Sequence, residues 1–477
     1  MKKIYADSSK PSQQQLDNLI KLYQERKYVD AEKLSVSITE EFPKHPFAWK
    51  VLGAILKQKG RISESLIAFQ KSVQLDPQDA KAHNNLAIIL LLQSRLEEAE
   101  TSLRQAIELK PDLAEAHNNL GVVLQKCRKF TEACSAYIQA INFNPDFTDA
   151  YENLGMAIKK VRFNSSNVKL YPLLIRLLSV GNFVRPRDLA PSILSLLKHD
   201  PLIKNLLIEK NFATSLKEAN SIIGSLDKLK ILHHLMRVCP LPDLQFERFF
   251  VSMRSLLLTN LDNTDASPEF IYFLSTLSLH CFTNEYVYFE KDEETKLIKI
   301  LEAEIMQTIE KSEQPEPKKI LCLASYRPLH QYNWCQKLKA LDHLEEVKSR
   351  LIEEPYAERA IAAEIPMLGE ISDDVSFKVR SQYEKNPYPR WVKTLKTTKP
   401  KSISEICAEA NLHLYSKSIK NVIAPAILIA GCGTGQHSIG TASRFSNCQV
   451  TAVDLSLASL AYAKRKTAEL GITNLEY

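Results

Sequence analysis

Close to its C-terminal end the sequence sets glycine at alternate positions in the stretch Gly431-Cys432-Gly433-Thr434-Gly435. An apolar run of strand length, Ala426 to Ala430 (AILIA), comes directly before it, and a helix-compatible stretch, QHSIGTASRF, directly after. A second strand-length run, QVTAVD, then ends on Asp454. Strand, glycine turn, helix, strand and acid make the first half of a nucleotide-binding βαβ unit. Glycine permits the tight turn and lets a ligand approach the backbone, and a carboxylate about 20 residues on is placed to accept two ribose hydroxyls. The third glycine of a dinucleotide fingerprint, GxGxxG, belongs where Gln436 stands. The spacing is GxGxG instead, which points away from nicotinamide dinucleotides. The chemistry on offer is the binding of a nucleoside-bearing cofactor, and no visible residue is assigned as general base.

A second set of polar residues recurs by number. Asn85, Asn119 and Asn153 are spaced by 34 residues, and each directly precedes a leucine. An amide both donates and accepts, so a ladder of them can hold a peptide backbone without reading its side chains. The elements that would carry this ladder follow the same period. Pro43, Pro77, Pro111 and Pro145 are 34 apart, as are Ala31, Ser65, Ala99 and Ala133. A large residue opens a first helix at Trp49, His83, His117 and Tyr151, and four residues later comes a small one, Gly53, Ala87, Gly121 or Gly155. A second helix carries Phe69, Leu103 and Tyr137, followed by Ser72, Ala106 and Ala140. Small residues let paired helices approach, large ones fill the gaps, and proline stops each unit.

This pattern resembles the tetratricopeptide repeat over residues 12 to 165, with three regular units at 46–79, 80–113 and 114–147. A first unit diverges, with Gln15 and Leu19 in the opening columns, and a fifth fades after Gly155. The resemblance implies a stacked helical array with a concave groove for a protein or peptide. The asparagines resemble the ladder in the repeats of protein O-linked N-acetylglucosamine transferases, although no glycosyltransferase domain follows them here. Val51 occupies the ladder column in the second unit, so three rungs are expected.

The glycine stretch resembles the first motif of class I S-adenosylmethionine-dependent methyltransferases. In that family the glycine loop lies against the amino-acid part of the cofactor and an acid at the end of the second strand holds its ribose. The resemblance assigns these roles to Gly431, Cys432, Gly433, Thr434, Gly435 and Asp454. One departure is Ile429, which stands where the family usually has Asp or Glu. The order of repeats, helical spacer, NPYPRW and GCGTG resembles a group of bacterial repeat-plus-methyltransferase proteins. It implies methyl transfer by in-line displacement to a protein or peptide that the repeats recruit. The alternative is a non-catalytic adaptor with a degenerate methyltransferase part. Tyr477 falls where a third strand begins, and the sequence is expected to be a truncated piece of a longer enzyme.

Composition bounds the rest. The chain has 477 residues, 45% apolar and 25% charged, as soluble globular proteins do. Of its 12 glycines five lie from Gly431 onward. The fold class expected is therefore mainly α, a repeat solenoid plus a helical domain, followed by an incomplete α/β Rossmann-like methyltransferase domain. Its divisions are 12–165 for the repeats, 166–312 for a helical domain, 319–400 for a connecting region and 401–477 for the methyltransferase part. The charged, proline-bearing stretch EQPEPK (Glu313 to Lys318) sets the boundary before KKILCLASY, which reads as strand or helix alike. The stretch from Ser381 to Trp391, SQYEKNPYPRW, holds two prolines and reads as a fixed loop, either a lid over a ligand or a segment pinned to a surface. A net charge of +6 without a basic run argues against nucleic acid, and the longest aliphatic run, Leu86 to Leu92, is too short to span a membrane. Nine scattered cysteines without CxxC spacing suggest neither disulfides nor zinc, and a cytoplasmic setting is expected. His233 and His234 read as packed residues, since no Cys or carboxylate stands at ligand spacing.

Overall fold

The computed structural model describes residues 10–180, 183–208, 216–339, 341, 343–369, 373–385, 387, 389–394, 400–410 and 412–477. The chain divides into two units, Met1–Val161 and Arg162–Tyr477.

The first unit is a run of antiparallel helix pairs: α1 (Gln13–Gln24), α2 (Tyr28–Glu41), α3 (Pro46–Gln58), α4 (Ile62–Leu75), α5 (Ala80–Leu92), α6 (Leu96–Leu109), α7 (Ala114–Lys126), α8 (Phe130–Phe143) and a last helix, α9 (Thr148–Ile158). The small and large columns meet as the period predicts. A Cβ on Gly53 would lie 3.0 Å from the Phe69 ring, and one on Gly121 would lie 2.4 Å from the Tyr137 ring. Where the small residue is Ala87, its partner column holds the smaller Leu103.

The opening aromatic of the three regular pairs does more than fill space. Trp49 Nε1 donates to the Pro43 carbonyl at 2.9 Å, and His83 and His117 place Nε2 at 3.0 and 2.8 Å from the Pro77 and Pro111 carbonyls. A carbonyl only accepts, so Nε2 of both histidines carries the proton. Each ring thereby satisfies a carbonyl at the end of the preceding unit, where no helical N–H can reach it.

Between the two helices of a pair the backbone turns through left-handed geometry at Arg26, Gly60, Ser94 and Arg128 (φ 58, 75, 60 and 61°). Only one of the four is glycine, and open space surrounds its missing Cβ. Gly60→Ala is therefore expected to cost about 1 kcal/mol from backbone strain alone. Ser94→Gly should gain less than that, because the unfolded chain gains freedom as well. Thermal denaturation of the two variants beside the parent checks both signs.

The second unit begins with helices α10 (Tyr171–Val180), α11 (Pro186–Leu197), α12 (Pro201–Ile208), α13 (Leu216–Leu226), α14 (Lys230–Val238), α15 (Leu244–Thr259), α16 (Pro268–Thr283), α17 (Asp292–Glu310) and α18 (Pro317–Ala324). KKILCLASY is thus helical in the main, and α18 packs on α16 and α17. A buried arginine ties this body together. Arg254 donates to the carbonyls of Ser325 (3.2 Å) and Phe289 (2.8 Å), and its guanidinium lies 4.0 Å from the Tyr326 ring centre. His233 is buried against Thr276 and the Leu226 carbonyl, at 3.2 Å from each, and burial drops its pKa to about 4.

A short helix, α19 (Glu345–Lys348), runs through a π turn, Ser349–Glu353, into α20 (Glu354–Ala362), and α21 (Asp374–Lys385) follows. Helix α21 corrects one expectation. The prolines of Ser381 to Trp391 predict a loop throughout, but Ser381 to Lys385 complete this helix, because a proline restricts only the residues just before it. Pro387 and Pro389 to Trp391 are non-helical, while Asn386 and Tyr388 lie outside the described residues.

After α22 (Ile403–Glu409) and α23 (Lys417–Lys420) the chain turns to α/β structure: β1 (Ala426–Ala430), α24 (Gln436–Arg444), β2 (Gln449–Val453), α25 (Leu457–Glu469) and β3 (Leu475–Glu476). The three strands form a parallel sheet in the order β1-β2-β3, with Ala430 opposite Val453 and Val450 opposite Leu475. Strand alternation turns Ile429, Val450, Ala452 and Leu475 into one apolar cluster with Ile439 of α24 and Leu460 of α25. The architecture is mainly α, closing in the opening strands of a Rossmann-like domain.

Candidate functional site

The parallel pairing brings the C-terminal ends of β1 and β2 side by side, so the glycine turn and Asp454 meet there. Cys432 N–H donates to the Val453 carbonyl at 3.1 Å, closing the turn against β2. Gly431, Gly433 and Gly435 all have positive φ (69, 54 and 78°), but two different causes keep them glycine. A Cβ on Gly431 or Gly433 would enter open space, and both residues line a cleft of about 790 Å³. A Cβ on Gly435 would lie 2.5 Å from the Ala463 Cβ of α25, so this glycine lets two helices approach.

Asp454 lines the same cleft and also fastens it. One carboxylate oxygen accepts from the Gly433 N–H at 2.7 Å and the other from the Ser456 N–H at 3.0 Å. A carboxylate offers about four acceptor directions, so capacity remains for hydroxyls of a ligand. Cys432 and Thr434 are buried on the far side of the turn. Burial, with a smaller push from the Asp454 charge, raises the Cys432 thiol to about 12, which keeps it protonated at neutral pH.

The turn is held from behind by the proline-rich segment. Trp391 Nε1 donates to the Thr434 carbonyl at 2.9 Å, and Thr434 Oγ1 donates to the Pro389 carbonyl at 2.9 Å. Tyr462 of α25 donates its hydroxyl to the Trp391 carbonyl, and its ring meets the indole edge-on. The neighbouring Arg390 pairs with Glu285 at 2.5 Å and Glu358 at 3.7 Å, and Arg465 of α25 pairs with Glu354 and Glu358, each at 2.8 Å. Burial raises the pKa of both Glu285 and Glu358, and the adjacent arginines oppose it. Pro389 to Trp391 are therefore a pinned segment. Trp391→Phe keeps the ring and removes only the N–H. It is expected to weaken ligand binding in the cleft by roughly tenfold while the fold survives. Calorimetry paired with circular dichroism reads the two effects separately.

Helix α21, of which the sequence marked only the last turn and as loop, supplies the opposite wall of the cleft through Val379, Arg380 and Tyr383. Glu384 docks it: the carboxylate accepts from the N–H groups of Leu457 (2.7 Å) and Ala458 (3.1 Å) at the start of α25. A carboxylate there meets unsatisfied N–H groups and the positive end of the helix dipole.

The asparagines belong to the first unit. Asn119 Nδ2 donates to Asn84 Oδ1 at 2.9 Å and Asn153 Nδ2 to Asn118 Oδ1 at 3.0 Å. Two of the three rungs, Asn119 and Asn153, are thus tied to a buried asparagine one repeat earlier, while Asn85, Asn119 and Asn153 themselves stay partly exposed. Asn84 and Asn118 went unmarked although they too are spaced by 34.

Residues 427–477 match the family described as methyltransferase domain. Residues 48–79, 68–101 and 114–147 match tetratricopeptide repeat families, and residues 89–126 a further TPR repeat family. The chain joins tetratricopeptide repeats to a methyltransferase domain. The boundaries of the methyltransferase match begin inside β1 and take in the glycine turn, Asp454 and β3. No curated protein matches the chain. Similar solved structures include MamA, at 24% identity over 29% of this chain and 81% of that one with a TM-score of 0.28. PilF of Pseudomonas aeruginosa is 17% identical over 49% of this chain and 94% of its own, with a TM-score of 0.32. The first TPR of Spaghetti (RPAP3), bound to an HSP90 peptide, is 20% identical over 24% of this chain and 89% of its own, with a TM-score of 0.23. Among the described residues no group of three His, Cys, Asp or Glu could hold a metal, and no helix is long and apolar enough to cross a membrane.

Proposed function

We propose that the methyltransferase domain binds S-adenosylmethionine in the cleft and serves methyl transfer to a protein or peptide that the repeats recruit. The observation that carries this reading is the pairing of an open cradle at Gly431 and Gly433 with a carboxylate, Asp454, that retains free acceptor capacity beside it. Gly431 and Gly433 would face the amino-acid part of the cofactor and Asp454 its ribose hydroxyls. Cys432, Thr434 and Gly435 would shape the turn from behind. The bound cofactor supplies an electrophilic methyl group. The protein's own part is to hold that group and the acceptor in line, which is catalysis by proximity and orientation. Isothermal calorimetry with S-adenosylhomocysteine tests the reading: saturable binding at one site is expected, and its absence overturns the assignment.

The adaptor reading keeps one observation in its favour. Ile429, in the place where related domains carry an acid, is buried in the apolar cluster and offers nothing to a cofactor. Peptide capture without binding of S-adenosylhomocysteine would establish it. All nine cysteines are unpaired, as a reducing compartment keeps them, and we place the protein in the cytoplasm.

For the groove, the rung contacts sharpen the expected result. Asn85→Ala with Asn119→Ala removes two backbone-holding amides and one rung bond. Retention of a peptide partner should fall roughly tenfold or more, at about 1 kcal/mol for each lost hydrogen bond. Unchanged retention in a pull-down would remove the ladder from the binding face.

A further inference from the structure

Behind the glycine turn lies a second cavity, of about 150 Å³, that cofactor binding leaves unused. Trp391 and four prolines form its apolar wall, and the remainder includes three cationic residues, Arg187, Arg390 and Lys393, with no carboxylate residue among the lining. The charge on Arg390 is met by Glu285 at 2.5 Å. Lys393, partly buried, has only the Ser179 carbonyl as hydrogen-bond partner among the described residues. The carboxylate that acts on it from α19, Glu346, is already bound by Arg237 at 3.1 Å and Arg350 at 3.0 Å, while Lys466 repels it. A partly buried cation that shares its carboxylate with two arginines is a cost to the fold that a further anion reduces. Two helix starts reinforce the sign, since Pro186 and Arg187 open α11 and Gln436 opens α24.

We propose that this cavity is a binding site for a phosphate group, held by Lys393 and Arg187 at the first turns of α11 and α24. A phosphate carries close to two charges and several acceptor oxygens, which matches two cations and the donors beside them better than a single carboxylate does. Free phosphate and a phosphorylated serine side chain share this chemistry. The site goes beyond the methyl-transfer reading and does not rest on it. Because Trp391 both walls this cavity and holds the Thr434 carbonyl, an occupant bears on the rear of the glycine turn.

The experiment is calorimetric titration of the full chain with inorganic phosphate and, in parallel, with O-phosphoserine, in a buffer free of phosphate and sulfate. Saturable binding of at least one is expected, and Arg187→Met and Lys393→Met should each weaken it roughly tenfold. Arg187 is exposed, so its variant tests the site even where the Lys393 variant folds poorly. Tighter binding of O-phosphoserine supports a phosphorylated side chain as the source, and equal or tighter binding of phosphate supports the free anion. The proposal is overturned by the absence of saturable heat with either ligand, or by heat that Arg187→Met leaves unchanged. Both readouts are independent of S-adenosylhomocysteine, so they succeed or fail apart from the cofactor assignment.

Discussion

Gly121→Ala is expected to destabilise the repeat unit by about 2–3 kcal/mol, and adding Tyr137→Leu is expected to restore most of that loss. The added methyl would lie 2.4 Å from the Tyr137 ring, which is fully buried and cannot swing aside without displacing its neighbours. Tyr137→Leu alone removes ring atoms and leaves a void, together with the 3.1 Å bond from its hydroxyl to Gln125, and should cost about 1–3 kcal/mol. Together the two changes recreate the pair that the preceding repeat uses natively, Ala87 with Leu103. The two single costs therefore cannot add. A coupling of about 2–3 kcal/mol in the double-mutant cycle is expected, read from the repeat transition in scanning calorimetry. Strict additivity would mean that the 34-residue columns are not paired across the helix interface, and the account of why these residues recur would fail with it.

That pairing was legible in the sequence because it is periodic: a steric rule that must hold in every unit writes itself at 34-residue intervals. The same period carried two signals that went unread. Trp49, His83 and His117 share a ring N–H as well as bulk, and each stands six residues after a proline whose carbonyl it caps. Asn84 and Asn118 share the spacing of the ladder they support. In both cases size or polarity was visible, but the partner atom was not.

The second unit has no period, and there legibility follows sequence distance. The strand, turn, strand and acid of the cleft lie within 29 residues, from Ala426 to Asp454, and their local order was enough to place them together. Ser381 to Trp391 read as a lid or a pinned loop, but how α21 and the segment behind the turn are held was not legible, because their contacts are remote. Glu384 reaches amides 73 and 74 residues away, Trp391 a carbonyl 43 away, and Arg390 a carboxylate 105 away. No pattern in QYEK distinguishes a carboxylate that caps a distant helix from one that faces water. Ile429 shows the reverse case. The substitution for an acid was visible, and strand alternation explains its fate, since position 429 turns into the apolar cluster where an unpaired carboxylate would be costly.

Asp454→Ala should weaken S-adenosylhomocysteine binding by roughly 100-fold or more, the largest loss expected from a single change in the cleft. Two charge-assisted hydrogen bonds to ribose hydroxyls are worth roughly 1.5–3 kcal/mol each. Removing the carboxylate also strips acceptors from the Gly433 and Ser456 amides, and so loosens the turn that forms the other side of the site. Asp454→Asn separates these contributions. Its single oxygen can serve one amide, while its NH2 group is turned toward the other, donor against donor. Hydrogen exchange at Gly433 and Ser456 then reports the turn, and calorimetry reports the ligand. Lost affinity with at least one amide still protected assigns Asp454 to the ribose. Near-normal affinity with both amides exchanging freely would confine it to bracing the turn, and the carboxylate would no longer support a nucleoside ligand.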